Sequence, residues 1–111
     1  MDISFKDSKL AKICNSEKAL IRAYGKANAR KIMRRLALLE GAETLSDVPV
    51  TPPTRRHELK GRRRGQYAID VQQPYRLIVE PANSPKQQNK KGGTNTGAVT
   101  AIRIIAIEDY H

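Results

Sequence analysis

A chain of 111 residues with 21 Lys and Arg against 11 Asp and Glu carries a formal net charge of +10. This length suits one hydrophobic core, so we expect a single domain over residues 1–111. The charge favours a nucleic acid or another polyanion as the partner. The chain lacks an apolar stretch long enough for a secretory signal or a membrane span, which predicts a cytoplasmic protein with no membrane partner.

The N-terminal quarter predicts a short strand followed by helical structure. Ile3 and Phe5 alternate with polar residues, as in a strand with one buried face. The apolar residues that follow recur at helical spacing as far as Tyr24. Asn15-Ser16 is a plausible N-cap pair inside this stripe, so the sequence also allows two short helices that meet near residue 15.

The next helix is predicted from Lys26 to Glu40, with Ile32, Leu36 and Leu39 on its apolar face. We interpret the opposite face as a solvated surface, with RNA contact as the alternative. Residues 44–54 contain three prolines and predict an irregular connector. The basic face of the helix consists of Arg30, Lys31, Arg34 and Arg35.

The segment from Arg55 to Arg64 concentrates six cations around His57. Behind it, two stretches of alternating apolar residues flank Gln73-Pro74 and predict two antiparallel strands joined by a tight turn. A cationic loop that leads into a rigid hairpin is where a polyanion site is expected. We assign contacts with RNA or the ribosome to Arg55, Arg56, Arg62, Arg63 and Arg64.

Residues 81–98 are poor in apolar side chains and predict a long, mobile hairpin loop. The last strand, Val99 to Glu108, has apolar residues on both faces, as in a central strand covered on both sides. The pattern predicts an α+β fold in which two N-terminal helices pack on a three- to four-stranded antiparallel sheet. The predicted core comprises Leu10, Ile13, Ile32, Leu36, Leu39, Ile69, Val71, Leu77, Val79 and Ile105.

The residue inventory favours one chemistry. The sequence contains neither a phosphate-binding nor a dinucleotide-binding glycine motif, and its two His and one Cys are too scattered for a zinc site, so no metal or cofactor is expected. The remaining residues suit RNA cleavage, in which His57 or His111 exchanges a proton near neutral pH and fixed cations hold the phosphorane charge. The candidate catalytic residues are His57, Lys60, Arg76, Asp109, Tyr110 and His111.

These residues carry a family resemblance. The stretch H-E-L-K-G-x-R-x-G-Q-Y, then Q-P-Y-R-L-I and the terminal E-D-Y-H, resembles the HigB branch of the RelE/ParE toxin superfamily. The resemblance implies a RelE-like microbial RNase fold and ribosome-dependent cleavage of translated mRNA by an endoribonuclease. It also implies neutralisation by a HigA-type antitoxin with a helix-turn-helix domain. The family's catalytic positions would fall on the six candidate residues.

Two features depart from the family pattern, and two other functions stay open. The 81–98 loop is longer than is common in the family, and the 44–54 connector is rich in proline. A ParE-like toxin of the same fold would inhibit DNA gyrase without catalytic residues, although the histidine-bearing C-terminal residues argue against it. A non-catalytic RNA-binding module would explain the charge but would give those residues no role.

Overall fold

A computed structural model of the protein describes residues 1–83 and 95–109, which form an α+β fold as predicted. The predicted numbers of elements are wrong in detail, because this part of the chain contains three helices and a mixed sheet of five strands. None of its helices is both long and apolar enough to cross a membrane. The elements are β1 (Asp2–Phe5), α1 (Ser8–Cys14), α2 (Glu17–Tyr24), α3 (Lys26–Gly41), β2 (His57–Glu58), β3 (Tyr67–Asp70), β4 (Tyr75–Pro81) and β5 (Ala101–Asp109).

Two sequence predictions fall partly or wholly on residues that the structure does not describe. The predicted loop spans residues 81–98, of which residues 84–94 lie outside the described residues. Tyr110 and His111, both assigned to catalysis, also lie outside them.

The first helical stretch divides at residue 15 because its own sequence caps a new helix there. The Oγ of Ser16 accepts a hydrogen bond from the backbone N–H of Ala19 at 3.1 Å, as an N-cap side chain does. Asp7 caps α1 in the same way, with Leu10 N donating to its Oδ1 at 2.8 Å. Gly25, at φ +86°, separates α2 from α3 in a conformation that glycine adopts without steric cost. The alternative with two short helices is therefore the correct one.

The strands follow the order β1-β5-β4-β3-β2. The antiparallel pair β3–β4 was predicted correctly, and β5 continues it on the other side of β4. The sheet is mixed because β1 runs parallel to β5, with Ile3 opposite Ile102. The additional edge strand β2 was missed because it has only two residues, too few for an alternating pattern. His57 therefore lies on a strand, opposite Ala68 of β3, and not in a loop.

The poor alternation of β5 comes from a β-bulge. Ile104 pairs with Val79 of β4 and Ala106 pairs with Ile78, so Ile105 is an extra residue. A bulge shifts the alternation of side chains by one position. The apolar residues before and after it can therefore face the same side, while Ile105 and Ala106 pack against apolar residues of the other face. As predicted, β5 is a central strand with apolar residues on both faces.

The main core lies between the helices and one face of the sheet. Leu20, Ile32 and Leu39 contribute completely buried helix side chains, and Ile69 and Leu77 contribute strand side chains. Most of the predicted core is confirmed. The exceptions are Leu10, Ile13 and Leu36, which are only partly buried at the margin, and Ile105, which packs on the other face of the sheet.

Candidate functional site

The candidate site lies on the sheet face opposite the main core, which we call the open face. The main core contains the buried helix residues, whereas the cluster on the open face consists of strand and loop residues. Residues directly opposite each other in antiparallel strands point to the same face, so the register identifies the polar residues that share it. The apolar centre of the open face is formed by Leu59, Ala68 and Ile78, with Ile105 and Ala106 packed against them.

Charged residues of alternating sign form a row across the open face, which we call the charge row. Asp70 lies opposite Arg76, and Arg76 lies opposite Glu108. The Nε of Arg76 is 2.9 Å from Oδ1 of Asp70, and Nη1 of Arg55 is 3.3 Å from Oδ2. At the other end, Nη1 of Arg63 forms an ion pair with Oε1 of Glu108. The row therefore contains three arginines and two carboxylates.

Asp70 connects the charge row to the rest of the fold. Its backbone N–H donates to the carbonyl oxygen of Thr54 at 2.8 Å, and its own carbonyl accepts from Nε of Arg35 on α3 at 2.9 Å. The side chains of Asp70 and Arg76 are only 9% and 14% exposed. Arg76 is therefore held by the carboxylate of a residue whose backbone is hydrogen-bonded to α3 and to the connector.

His57 lies on the open face in the row next to the charge row. It is opposite Ala68, which is opposite Ile78. Its Nδ1 is 3.1 Å from the carbonyl oxygen of Arg55. Because a carbonyl only accepts, Nδ1 carries the proton, and Nε2 of the neutral ring is left able to accept one. In an ideal sheet, two strand spacings and a two-residue offset place the Cα atoms of His57 and Arg76 about 12 Å apart, which two long side chains and a phosphodiester can span.

Two other predicted catalytic residues are less directly connected to this pair. Lys60 is exposed in the loop after β2, and within the described residues no hydrogen bond or ion pair joins it to His57 or Arg76. Asp109 lies opposite Tyr75, whose side chain packs against the main core, so Asp109 belongs to the helix side of the sheet. The structure thus brings Arg76 and His57 to one face and places Asp109 on the other.

The five arginines assigned to binding RNA or the ribosome have different surroundings. The Nε of Arg56 donates to the carbonyl of Val48 at 3.1 Å, and its guanidinium carbon is 5.9 Å from the ring centroid of Tyr67. Arg56 therefore contributes to packing beneath the cationic loop. The others divide into Arg55 and Arg63, which belong to the charge row, and Arg62 and Arg64, which are exposed.

The two carboxylates of the charge row were not among the predicted site residues. Glu108 carried no signal of its own, because its position opposite Arg76 depends on the register between the last two strands. Asp70 was available from the hairpin itself. Asp70 and Arg76 are at nearly equal distances from the Gln73-Pro74 turn, and such residues face each other across a hairpin. The register of the hairpin was the signal that could have identified Asp70.

Comparison with known proteins gives one family. A family model described as the RelE-like toxin HigB of a type II toxin–antitoxin system matches residues 3–89. The match contains the three helices, His57 and Arg76, and it ends before β5, which carries Glu108 and Asp109. No curated protein matches the chain.

Proposed function

Because the chain belongs to the RelE-like HigB toxins of type II toxin–antitoxin systems, we propose that it is an endoribonuclease that cleaves mRNA on translating ribosomes. The observation that carries this proposal is that Arg76 and His57 lie on the same open face. A fixed guanidinium and an imidazole with an available Nε2 supply charge stabilisation and proton transfer, the two functions that cleavage by the 2′-OH requires. A toxin that acts by binding alone would need neither at this position.

In the proposed reaction, Nε2 of His57 removes the proton from the 2′-OH of the nucleotide before the cut. The 2′-oxygen bonds to phosphorus and the bond to the 5′-oxygen breaks, which leaves a 2′,3′-cyclic phosphate and a free 5′-OH. Arg76 stabilises the negative charge of the phosphorane, and Lys60 approaches from the loop as a second cation. The reaction needs no metal ion.

The leaving 5′-oxygen requires a proton, and we assign its donor to the residues that follow β5. His111 would supply the proton and Tyr110 would position the nucleotide. Asp109, the last residue of β5, would orient the imidazole from the end of the strand, although its register places it on the helix side. Removal of Tyr110 and His111 should leave the melting temperature nearly unchanged and lower cleavage on ribosomes by at least about a hundredfold, the lower range for one positioned acid–base group. A truncated protein that cuts mRNA at the wild-type rate would show that the donor lies elsewhere.

The family implies an antitoxin as the partner. We propose that this antitoxin is of the HigA type, with a helix-turn-helix domain, and that the toxin acts in the cytoplasm. The exposed cations Arg62 and Arg64 are suited to contacts with ribosomal RNA, since they extend from the loop that borders the open face.

The proposal is tested by incubating the purified protein with translating ribosomes and mapping the new ends of the mRNA. We expect cuts at defined codon positions that disappear when the ribosomes are omitted. Parallel assays on DNA gyrase cover the ParE-like alternative. Inhibition of supercoiling without new mRNA ends would replace the RNase proposal by gyrase inhibition, and RNA binding without either activity would leave a binding module.

A further inference from the structure

A concave site lies between α3 and the β3–β4 hairpin, and we call it the α3 cleft. Its volume is about 620 Å³, which is within the range of pockets that hold small ligands and larger than one phosphate group needs. One wall is formed by Lys31, Arg34 and Arg35 of α3, and the other by Pro53 and residues 70–73. The Oδ1 of Asn28 accepts from the backbone N–H of Gln72 at 3.1 Å, which fixes the hairpin wall to the helix.

The cleft carries an excess of positive charge that the protein itself does not neutralise. Lys31 and Arg34 are exposed, and within the described residues neither forms an ion pair or a side-chain hydrogen bond. Arg35 is fixed by its hydrogen bonds to the carbonyl oxygens of Asp70 and Pro53, at 2.9 Å and 3.5 Å. The carboxylate of Asp70 already faces Arg55 and Arg76 in the charge row. An anion that enters the cleft therefore meets two available cations beside a rigid wall.

The cleft has one residue in common with the candidate active site. Asp70 lines the cleft and is also the carboxylate that holds Arg76, so the two sites share one residue. We propose that the α3 cleft binds backbone phosphates of RNA next to the scissile phosphate at Arg76. This inference rests on the proposed function for the identity of the ligand.

The lining of the cleft favours a phosphate backbone over an acidic protein segment. Protein interfaces depend on apolar or aromatic anchors in a desolvated centre. The described lining of the cleft instead includes three cations together with Gln72 and Gln73, and Val71 is already buried in the main core. Cations with neighbouring amide groups are the usual contacts to phosphate oxygens.

The test compares two double variants that remove the same charge. Lys31→Gln/Arg34→Gln alters the cleft, and Lys18→Gln/Arg22→Gln alters two exposed cations of α2 that do not line it. Each protein is titrated against a short, fully 2′-O-methylated oligoribonucleotide, which cannot be cut, and its affinity is measured by fluorescence anisotropy across a salt series. Thermal melting verifies that all three proteins are folded.

We expect the slope of log K against log salt to fall in magnitude by about 1.4 in the cleft variant, since each lost phosphate contact on a single strand removes about 0.7. The α2 variant should keep the wild-type slope. Equal slopes in the two variants would overturn the inference. So would a cleft variant that keeps its RNA affinity and loses affinity for the antitoxin, because the ligand would then be an acidic protein.

Two further outcomes distinguish this inference from the binding of a free anion and from the proposed nuclease function. If inorganic phosphate saturates the cleft of the wild-type protein without displacing the oligonucleotide, the ligand is a free anion and the inference is overturned. If the wild-type protein shows the expected cleft-dependent slope but makes no cuts on ribosomes, the RNA subsite stands and the proposed nuclease function fails.

Discussion

Arg76 differs from the exposed arginines of residues 55–64 in the way it is held. It is 14% exposed, lies on a strand and contacts the carboxylate of Asp70. Arg76→Ala should lower cleavage on ribosomes by about a hundred- to a thousandfold, as the loss of one donor to a developing anion does elsewhere. The same change leaves Asp70, at 9% exposure, with fewer cationic neighbours, so some loss of stability is expected as well.

A conservative variant separates these two effects. Arg76→Lys keeps a positive charge beside Asp70 but loses the planar guanidinium, so it should restore most of the melting temperature and little of the cleavage rate. The comparison is Arg62→Ala, which changes an exposed cation and should weaken ribosome binding without changing cleavage at saturation. If Arg62→Ala and Arg76→Lys change the same kinetic constant, the assignment of separate docking and catalytic cations is wrong.

Cys14 should make the folded protein sensitive to alkaline pH. Burial raises the pKa of its thiol from 9.0 to about 11. Between these values the unfolded chain loses the proton while the folded protein keeps it, so the free energy of unfolding falls as pH rises, by about 2–3 kcal/mol in total. Urea denaturation from pH 8.5 to 11 measures this loss.

The control for this prediction is Cys14→Ala, which has no thiol to titrate and should lose less stability over the same pH range. Burial also raises the pKa of Tyr24, and Cys14 adds to this effect, so Tyr24 contributes a loss of the same sign in both proteins that is smaller in Cys14→Ala. A wild-type profile that parallels the Cys14→Ala profile would show that the thiol is not buried in the folded protein.

The contribution of α3 to the core depends on position along its apolar face. Leu39 is completely buried, whereas Leu36 is partly exposed beside the first strand and α1. Leu39→Ala should lower the free energy of unfolding by about 3–5 kcal/mol, and Leu36→Ala should lower it by less than about 2 kcal/mol. Chemical denaturation of both variants measures the difference. Equal losses would mean that α3 is rotated about its axis relative to its orientation in the structure.

The elements that were predicted correctly are those whose signal lies within their own residues. The alternation of Tyr67, Ile69 and Val71, the turn at Gln73-Pro74 and the cap at Ser16 are local signals, and each appears in the structure. The errors concern relations between distant segments. A two-residue strand has no periodicity of its own, and the bulge at Ile105 is apparent only once β4 is paired beside β5.

At the scale of the whole molecule, contacts between distant segments also limit how much of the candidate site could be predicted. Residue types and their resemblance to a family identified His57 and Arg76, and the structure places both on the open face. Arg35 supports the charge row through its hydrogen bond to the carbonyl oxygen of Asp70, and this contact depends on how α3 packs against the hairpin. The two residues are 35 positions apart in sequence. No local pattern reports a contact between such distant residues. The α3 cleft was for this reason interpreted as part of a solvated helix face.

The net charge of +10 should also govern how the toxin meets its antitoxin. Charges at the rim of an interface act mainly on the rate of association, which salt screens. We expect this rate to fall by at least about tenfold between low and high salt. The variant Arg62→Gln/Arg64→Gln should flatten this dependence more than Lys18→Gln/Arg22→Gln, which removes the same charge from α2.

Stopped-flow mixing of the toxin with its purified antitoxin across a salt series measures these rates. In cells, expression of the toxin alone should arrest growth and translation, and expression with the antitoxin should restore both. The dissociation rate should change little with salt, because the buried part of the interface is poorly screened. If the salt dependence appears in dissociation instead, the cationic loop lies inside the interface and contributes to holding the complex together.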